Sequence, residues 1–130
     1  MLDRERGTLR YANAGHPVPL LIHADGGRSR LTAGGPCVGV VADAAYEEGR
    51  VPLEPGDRLV LFTDGVAEAR SAGGEELGER RLAARLCDLR GVGAGEAARG
   101  LIDRARSFAG GSLADDATVV VVDTLPSEEP

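Results

Sequence analysis

Two acidic clusters hold the residues best suited to chemistry. Asp64, in Thr63-Asp64-Gly65, closes the apolar run Arg58 to Thr63, and Asp115 and Asp116, in Ala114-Asp115-Asp116-Ala117-Thr118, open the run Ala117 to Val122. If those two runs are antiparallel neighbours, the end of the first lies beside the start of the second. Strands sit about 4.8 Å apart, so the three carboxylates converge on one rim and must share protons or bind a cation. Ligands that are all oxygen suit hard cations such as Mg²⁺ or Mn²⁺ and not zinc. Gly65 lets the backbone come close to an ion or a hydrated phosphate. Aspartates at strand ends also serve as turn formers and helix caps, and spacing alone leaves that reading open.

The segment Asn13-Ala14-Gly15-His16-Pro17 offers a second candidate. His16 can donate a proton to a leaving oxygen, or it can tie a turn in which Asn13 and Gly15 take left-handed conformations. The structural role is the one we expect. His23, on an ordinary strand, reads as a satisfied or exposed side chain. Glu68, Glu75 and Glu76 surround the start of a helix, where carboxylates suit the positive end of the dipole. Cys37 and Cys87 have no partner at metal spacing and read as small hydrophobic fillers. The fifteen basic residues are all arginine, which removes Schiff-base lysine and P-loop chemistry.

The elements that must position these residues change period along the chain. Thr8 to Ala14, Val18 to Ala24 and Arg28 to Thr32 read as strands, with Asp25-Gly26-Gly27 as the hairpin turn between the last two. Pro17 and Pro19 place a turn or an edge between the first two. Gly34-Gly35-Pro36 turns the chain before the apolar stretch Cys37 to Val41, and Val51 to Leu53 follows a polar segment. Pro55-Gly56-Asp57 then precedes Arg58 to Thr63, whose nearly continuous apolar run implies a strand buried on both faces. Leu77, Leu82, Ala83, Leu86 and Leu89 form a helical stripe between Glu75 and Leu89. A second stripe runs from Glu96 to Phe108. Ala117 to Val122 is β-branched and returns to strand. The order is several strands, two helices and a strand: an α+β layout of mostly antiparallel sheet with helices covering one face.

A chain of 130 residues, 42% hydrophobic and 28% charged, is one soluble globular domain. A formal net charge of -6 with arginines dispersed among acids argues against nucleic acid as a partner. No apolar run reaches bilayer length and the N-terminus lacks a signal-peptide core, so we expect no membrane association and a cytoplasmic location. Residues 125–130 read as a frayed tail.

Three strings in order resemble the SpoIIE-like branch of the PPM (PP2C-like) serine/threonine phosphatases. They are Asn13-Ala14-Gly15-His16-Pro17; Pro55-Gly56-Asp57 through Thr63-Asp64-Gly65-Val66 with Glu68 after it; and Asp115-Asp116-Ala117-Thr118 before a final strand. The similarity covers about Leu2 to Val122, and residues 1–124 are expected to form the C-terminal part of such a domain. The resemblance implies paired β-sheets flanked by helices, with two Mn²⁺ or Mg²⁺ ions held by aspartates at one end. It implies that Asp64 and Asp115 are metal ligands, with Asp116 at the adjoining position. It further implies hydrolysis of phosphoserine or phosphothreonine by a metal-activated water, on a phosphorylated regulator such as an anti-sigma-factor antagonist.

The chain departs from that pattern in one respect. The family's leading Gly-Asp-Val-x-Gly-His-Gly stretch, whose aspartate is shared between the metals, is absent. A start codon placed too late, a fragment, or a short protein completed by pairing with another chain through an exposed sheet edge would each explain this. Without that ligand the ion site is expected to be weak. A rival expectation follows: a catalytically inactive module that binds a phosphoregulator or another subunit.

Overall fold

The computed structural model describes residues 1–126; the remainder of the expected tail, 127–130, lies outside the described residues. In chain order the strands of the first half are β1 (Leu2–Asp3), β2 (Thr8–Tyr11), β3 (Asn13–Ala14), β4 (Leu20–Ile22), β5 (Arg28–Arg30), β6 (Gly34–Gly35), β7 (Gly49–Pro52) and β8 (Arg58–Phe62). Three helices follow, α1 (Asp64–Ala67), α2 (Gly78–Asp88) and α3 (Ala94–Phe108), and the strand β9 (Val119–Asp123) closes the order.

The four-stranded antiparallel sheet β5-β4-β8-β9 carries the core. Because side chains alternate across a strand, Leu20, Ile22, Val60 and Phe62 share one face. The stripes of α2 (Leu82, Ala83, Leu86) and α3 (Ala97, Leu101, Ala105) bury themselves against it. Each fully buried leucine there contributes roughly 1.5–3 kcal/mol of burial free energy. A three-stranded antiparallel sheet, β1-β2-β7, and a parallel pair, β3-β6, complete the β structure. The expected α+β class of mostly antiparallel sheet with flanking helices is what is found. No helix among the described residues is long and apolar enough to cross a membrane.

Several expectations are corrected. The run Thr8 to Ala14 is split at Ala12, because β2 pairs with β7 while β3 turns to β6. The stretch Cys37 to Val41 is a turn and not apolar structure, with Val38 and Val40 exposed. Strand β8 is buried on one face only: Arg58, Val60 and Phe62 are buried, and Leu59 and Leu61 are half-buried. Leu21 on that second face is covered, but Val120 and Val122 at its β9 side are 49% and 45% exposed. Helix α2 begins at Gly78, three residues later than expected, since the backbone of Glu75 to Leu77 is bridged to Ala69, Arg70 and Ser71, with Glu75 and Glu76 paired to Arg81 and Arg70. Those glutamates therefore serve ion pairs and not the helix dipole; the acid in the first turn is Glu79. Cys37 and Cys87 are exposed free thiols and not fillers, Cys87 because it faces away from the Leu82, Ala83 and Leu86 stripe.

At one end of the core sheet, Arg58 replaces an apolar residue with a fork of donors. Its Nε and Nη2 donate to the two oxygens of Asp123, at 2.6 and 2.9 Å. Its Nη1 donates to the Leu89 carbonyl at 2.8 Å and its Nη2 also to that of Val92 at 2.6 Å. The pair therefore fixes β9 to β8 and ties down the carbonyls released where α2 ends.

On the other sheet, Arg10 and Arg50 stand directly opposite each other on β2 and β7. Glu48 accepts from both, at 3.0 and 2.6 Å from Arg10 and 3.1 Å from Arg50, so the like charges are bridged. The Arg10 hydrogen bond, reinforced by Arg50, pulls the Glu48 carboxyl down to about 2. Ionised Glu48 is favoured in the folded chain, so its contribution is present above the ordinary value of 4.5 and is lost as pH falls from there through 2.

Two outcomes are expected. Truncation by Arg58→Ala should lower stability by about 3 kcal/mol, as breaking a buried pair does, with Asp123→Asn adding little in the Arg58→Ala background; urea denaturation of the two single variants and the double variant measures this. An NMR titration should find Glu48 with a midpoint near 2, and a midpoint in the ordinary carboxylate range would show that the bridge is not formed in solution.

Candidate metal centre

The far end of the β8–β9 ladder is built by two threonines. The last paired residues are Phe62 and Val119. Beyond them the Thr63 N–H donates to the Thr118 carbonyl at 3.0 Å, and the Thr118 N–H donates to Thr63 Oγ1 at 2.9 Å. A side-chain oxygen thus supplies the acceptor for one more rung after the backbone of β8 turns away. Thr63 has extended backbone and serves as N-cap of α1, so Asp64 stands at the first position of that short helix.

Gly65 is buried and lies against the other strand's entry: a Cβ built on it would sit 2.0 Å from the Asp116 carbonyl oxygen. No side chain fits there. The absence of one brings the start of α1 and the Asp115-Asp116 segment into backbone contact, so Asp64, Asp115 and Asp116 share one rim of the core sheet. All three are exposed. Asp64 Oδ1 accepts from the Gly65 N–H at 2.9 Å and Asp115 Oδ1 from the Asp116 N–H at 2.8 Å. No arginine is paired with any of the three among the described residues.

The donor set fits a hard divalent cation in kind, being carboxylate oxygen. It does not fit in number: among the described residues no three His, Cys, Asp or Glu side chains are grouped so as to hold a metal ion. A hard cation takes six or more oxygens, part of them from water.

His16 is placed elsewhere. The Asn13 amide donates from Nδ2 to the His16 carbonyl and accepts from the His16 N–H, both at 2.8 Å. His16 Nδ1 lies 2.8 Å from the Pro17 carbonyl, which can only accept, so Nδ1 carries the proton in that contact. Gly15 has φ of +78°, and its missing Cβ leaves room for Cys37 Sγ. The segment is a tied loop. None of the described hydrogen bonds or ion pairs joins His16 to the three aspartates.

One polar cluster was not legible. Asp57, only 2% exposed, accepts from the Ala24 N–H at 3.0 Å and the Glu54 N–H at 2.9 Å. His23 Nδ1 lies 3.6 Å from Asp57, and its Nε2 is 2.8 Å from Ser29 Oγ. His23 is therefore a link between β4, β5 and the turn before β8. The signal was Asp57 itself, since an acid directly ahead of a buried strand needs internal donors.

The fold is that of the PPM, or PP2C, phosphatase domains. The chain superimposes over its full length on the phosphatase domain of the cell fate determinant SpoIIE from Bacillus subtilis, solved after presoaking with Mn, with a TM-score of 0.79 at 19% identity, covering 56% of that structure. The family described as Stage II sporulation protein E (SpoIIE) matches residues 1–125, and the chain belongs to that family. Among characterised relatives it is 35% identical over 82 residues to Protein IcfG of Synechocystis sp. (strain ATCC 27184 / PCC 6803 / Kazusa), covering 63% of this chain and 13% of that protein. It is 33% identical over 67 residues to the phosphoserine phosphatase RsbP of Bacillus subtilis (strain 168), covering 52% of this chain and 17% of that protein. The chain thus spans about half of the solved domain and a small part of either relative.

Gly65→Ala should force the two backbones apart, with a loss of about 1–3 kcal/mol as for other overpacked sites, and should shift the amide resonances of Asp115 and Asp116. A melting temperature and spectrum unchanged from the parent would contradict the close approach.

Proposed function

We propose that this chain forms part of a metal-dependent protein phosphatase that hydrolyses phosphoserine or phosphothreonine in a regulatory protein. The observation that supports this most is the β8–β9 register, which draws acids far apart in sequence to one rim. In this reading Asp64 and Asp115 hold divalent ions, Mn²⁺ or Mg²⁺, and Asp116 adjoins them. The remaining ligands come from polypeptide of the same domain type that this chain does not contain. The ions, when bound, lower the pKa of a coordinated water and neutralise phosphoryl oxygens.

The chain's own groups then have stated tasks. Asp64, fixed by its bond to the Gly65 N–H, keeps its other oxygen for the ion. The Thr63–Thr118 rung fixes the backbone from which Asp64 projects relative to the start of β9. No side chain of this chain need act as nucleophile. The name of RsbP, a phosphoserine phosphatase, supports phosphoserine as the substrate class. The partner we propose is a phosphorylated regulator of the anti-sigma-factor antagonist kind, by the family resemblance. The exposed Val120 and Val122 beside the open edge of β9 are a surface for the rest of the domain, or for a second copy, to cover.

Release of phosphate from a phosphoserine peptide should require Mn²⁺ and fall by roughly 10²-fold or more in Asp64→Asn, since each ion supplies several kcal/mol of transition-state stabilisation. Mn²⁺-dependent release that is unaffected by Asp64→Asn would refute the assignment.

A further inference from the structure

Helices α2 and α3 enclose a surface groove of about 460 Å³ that none of the chemistry above uses. The linker Leu89 to Gly93 is short, and two contacts fix the helices as antiparallel. Arg81, near the start of α2, lies 5.2 Å from the ring centroid of Phe108 at the end of α3, while Gly100 lies against Leu89 at the end of α2. Ala84 and Gly100 are the small residues of its walls, and Leu89 fills the space beside Gly100.

Its charge is unlike that of the chain. Three arginines (Arg81, Arg85 and Arg104) and two aspartates (Asp88 and Asp103) line it, a local balance of +1 on a chain of net charge -6. Arg81 and Arg104 both stack on Phe108, at 5.2 and 5.8 Å from its centroid, so two like charges are held around one ring. Arg81 also reaches Glu75 at 3.3 Å. Arg85 and Arg104, half-buried, form no ion pair among the described residues. Guanidinium groups with forks of unused donors, gathered in a concave site, are matched by carboxylate or phosphate oxygens.

We infer that this groove docks an acidic segment of a partner protein, its carboxylates seated between Arg85 and Arg104 toward Phe108. Asp88 and Asp103 line the same groove, so a basic residue of the partner is matched beside its acids. Docking does not depend on hydrolysis; only the identification of the partner as the phosphatase substrate rests on the proposed function.

The test is fluorescence anisotropy of a labelled hexaglutamate peptide with the whole chain, without metal, against a hexaserine peptide of equal length. Binding of hexaglutamate should be at least about tenfold tighter than hexaserine, weaken with salt, and be lost to the hexaserine level in Arg85→Glu/Arg104→Glu, a variant whose fold circular dichroism checks. The milder Arg85→Gln should give an intermediate loss. Equal binding of the two peptides by the parent chain, or hexaglutamate binding that survives charge reversal in a folded variant, would overturn the proposal. Loss of Mn²⁺-dependent hydrolysis alone would bear on the phosphatase reading and leave docking intact.

Discussion

The pairing of β8 with β9 is the constraint on which the rest depends. Five residue pairs, from Arg58 with Asp123 to Phe62 with Val119, fix the register, and a one-residue slip would reverse the face of every side chain on one strand. The buried face of Val60 and Phe62 forbids that slip, because the apolar stripes of α2 and α3 have no other surface to cover. Core packing therefore decides where three surface aspartates stand. The aspartates sit at the periphery, but the backbone that carries them is positioned by burial at the centre.

The two ends of this ladder are treated oppositely. At one end Arg58 and Asp123 neutralise each other, and the arginine's other donors are taken by carbonyls beyond α2. At the other, three carboxylates are exposed, and no arginine among the described residues is paired with them. Like charges on one rim repel and lower stability unless something positive is bound. A sequence selected only for stability would place arginine there, as it does around Glu48, where Arg10 and Arg50 share one carboxylate.

Much of this arrangement was legible in the residues. Pro55-Gly56-Asp57 ahead of an apolar run, Asp25-Gly26-Gly27 between two strands, and the stripes through Leu86 and Leu101 each name an element by its own local chemistry. The neighbouring strands from which Asp64 and Asp115 were expected to converge are found as β8 and β9. What was not legible depends on contacts across the fold. The one-sided burial of β8 reflects what lies on the second face of the sheet, which no string of its own residues encodes. The link from Asp57 through His23 to Ser29 joins three elements. The late start of α2 arises because the backbone of Glu75 to Leu77 is bonded back to Ala69, Arg70 and Ser71. Short-range pattern specifies elements; their partners decide boundaries and side-chain roles.

The central claim is that carboxylates at the open end of the β8–β9 ladder bind a divalent ion together. Addition of Mn²⁺ to the chain, followed by paramagnetic broadening of backbone amide signals, tests it directly. The account predicts that signals of Asp64, Gly65, Asp115 and Asp116 broaden first and together, and that Asp64→Asn weakens the effect at Asp115 as well. Broadening confined to other acidic residues, or loss at Asp64 with Asp115 untouched, would contradict it.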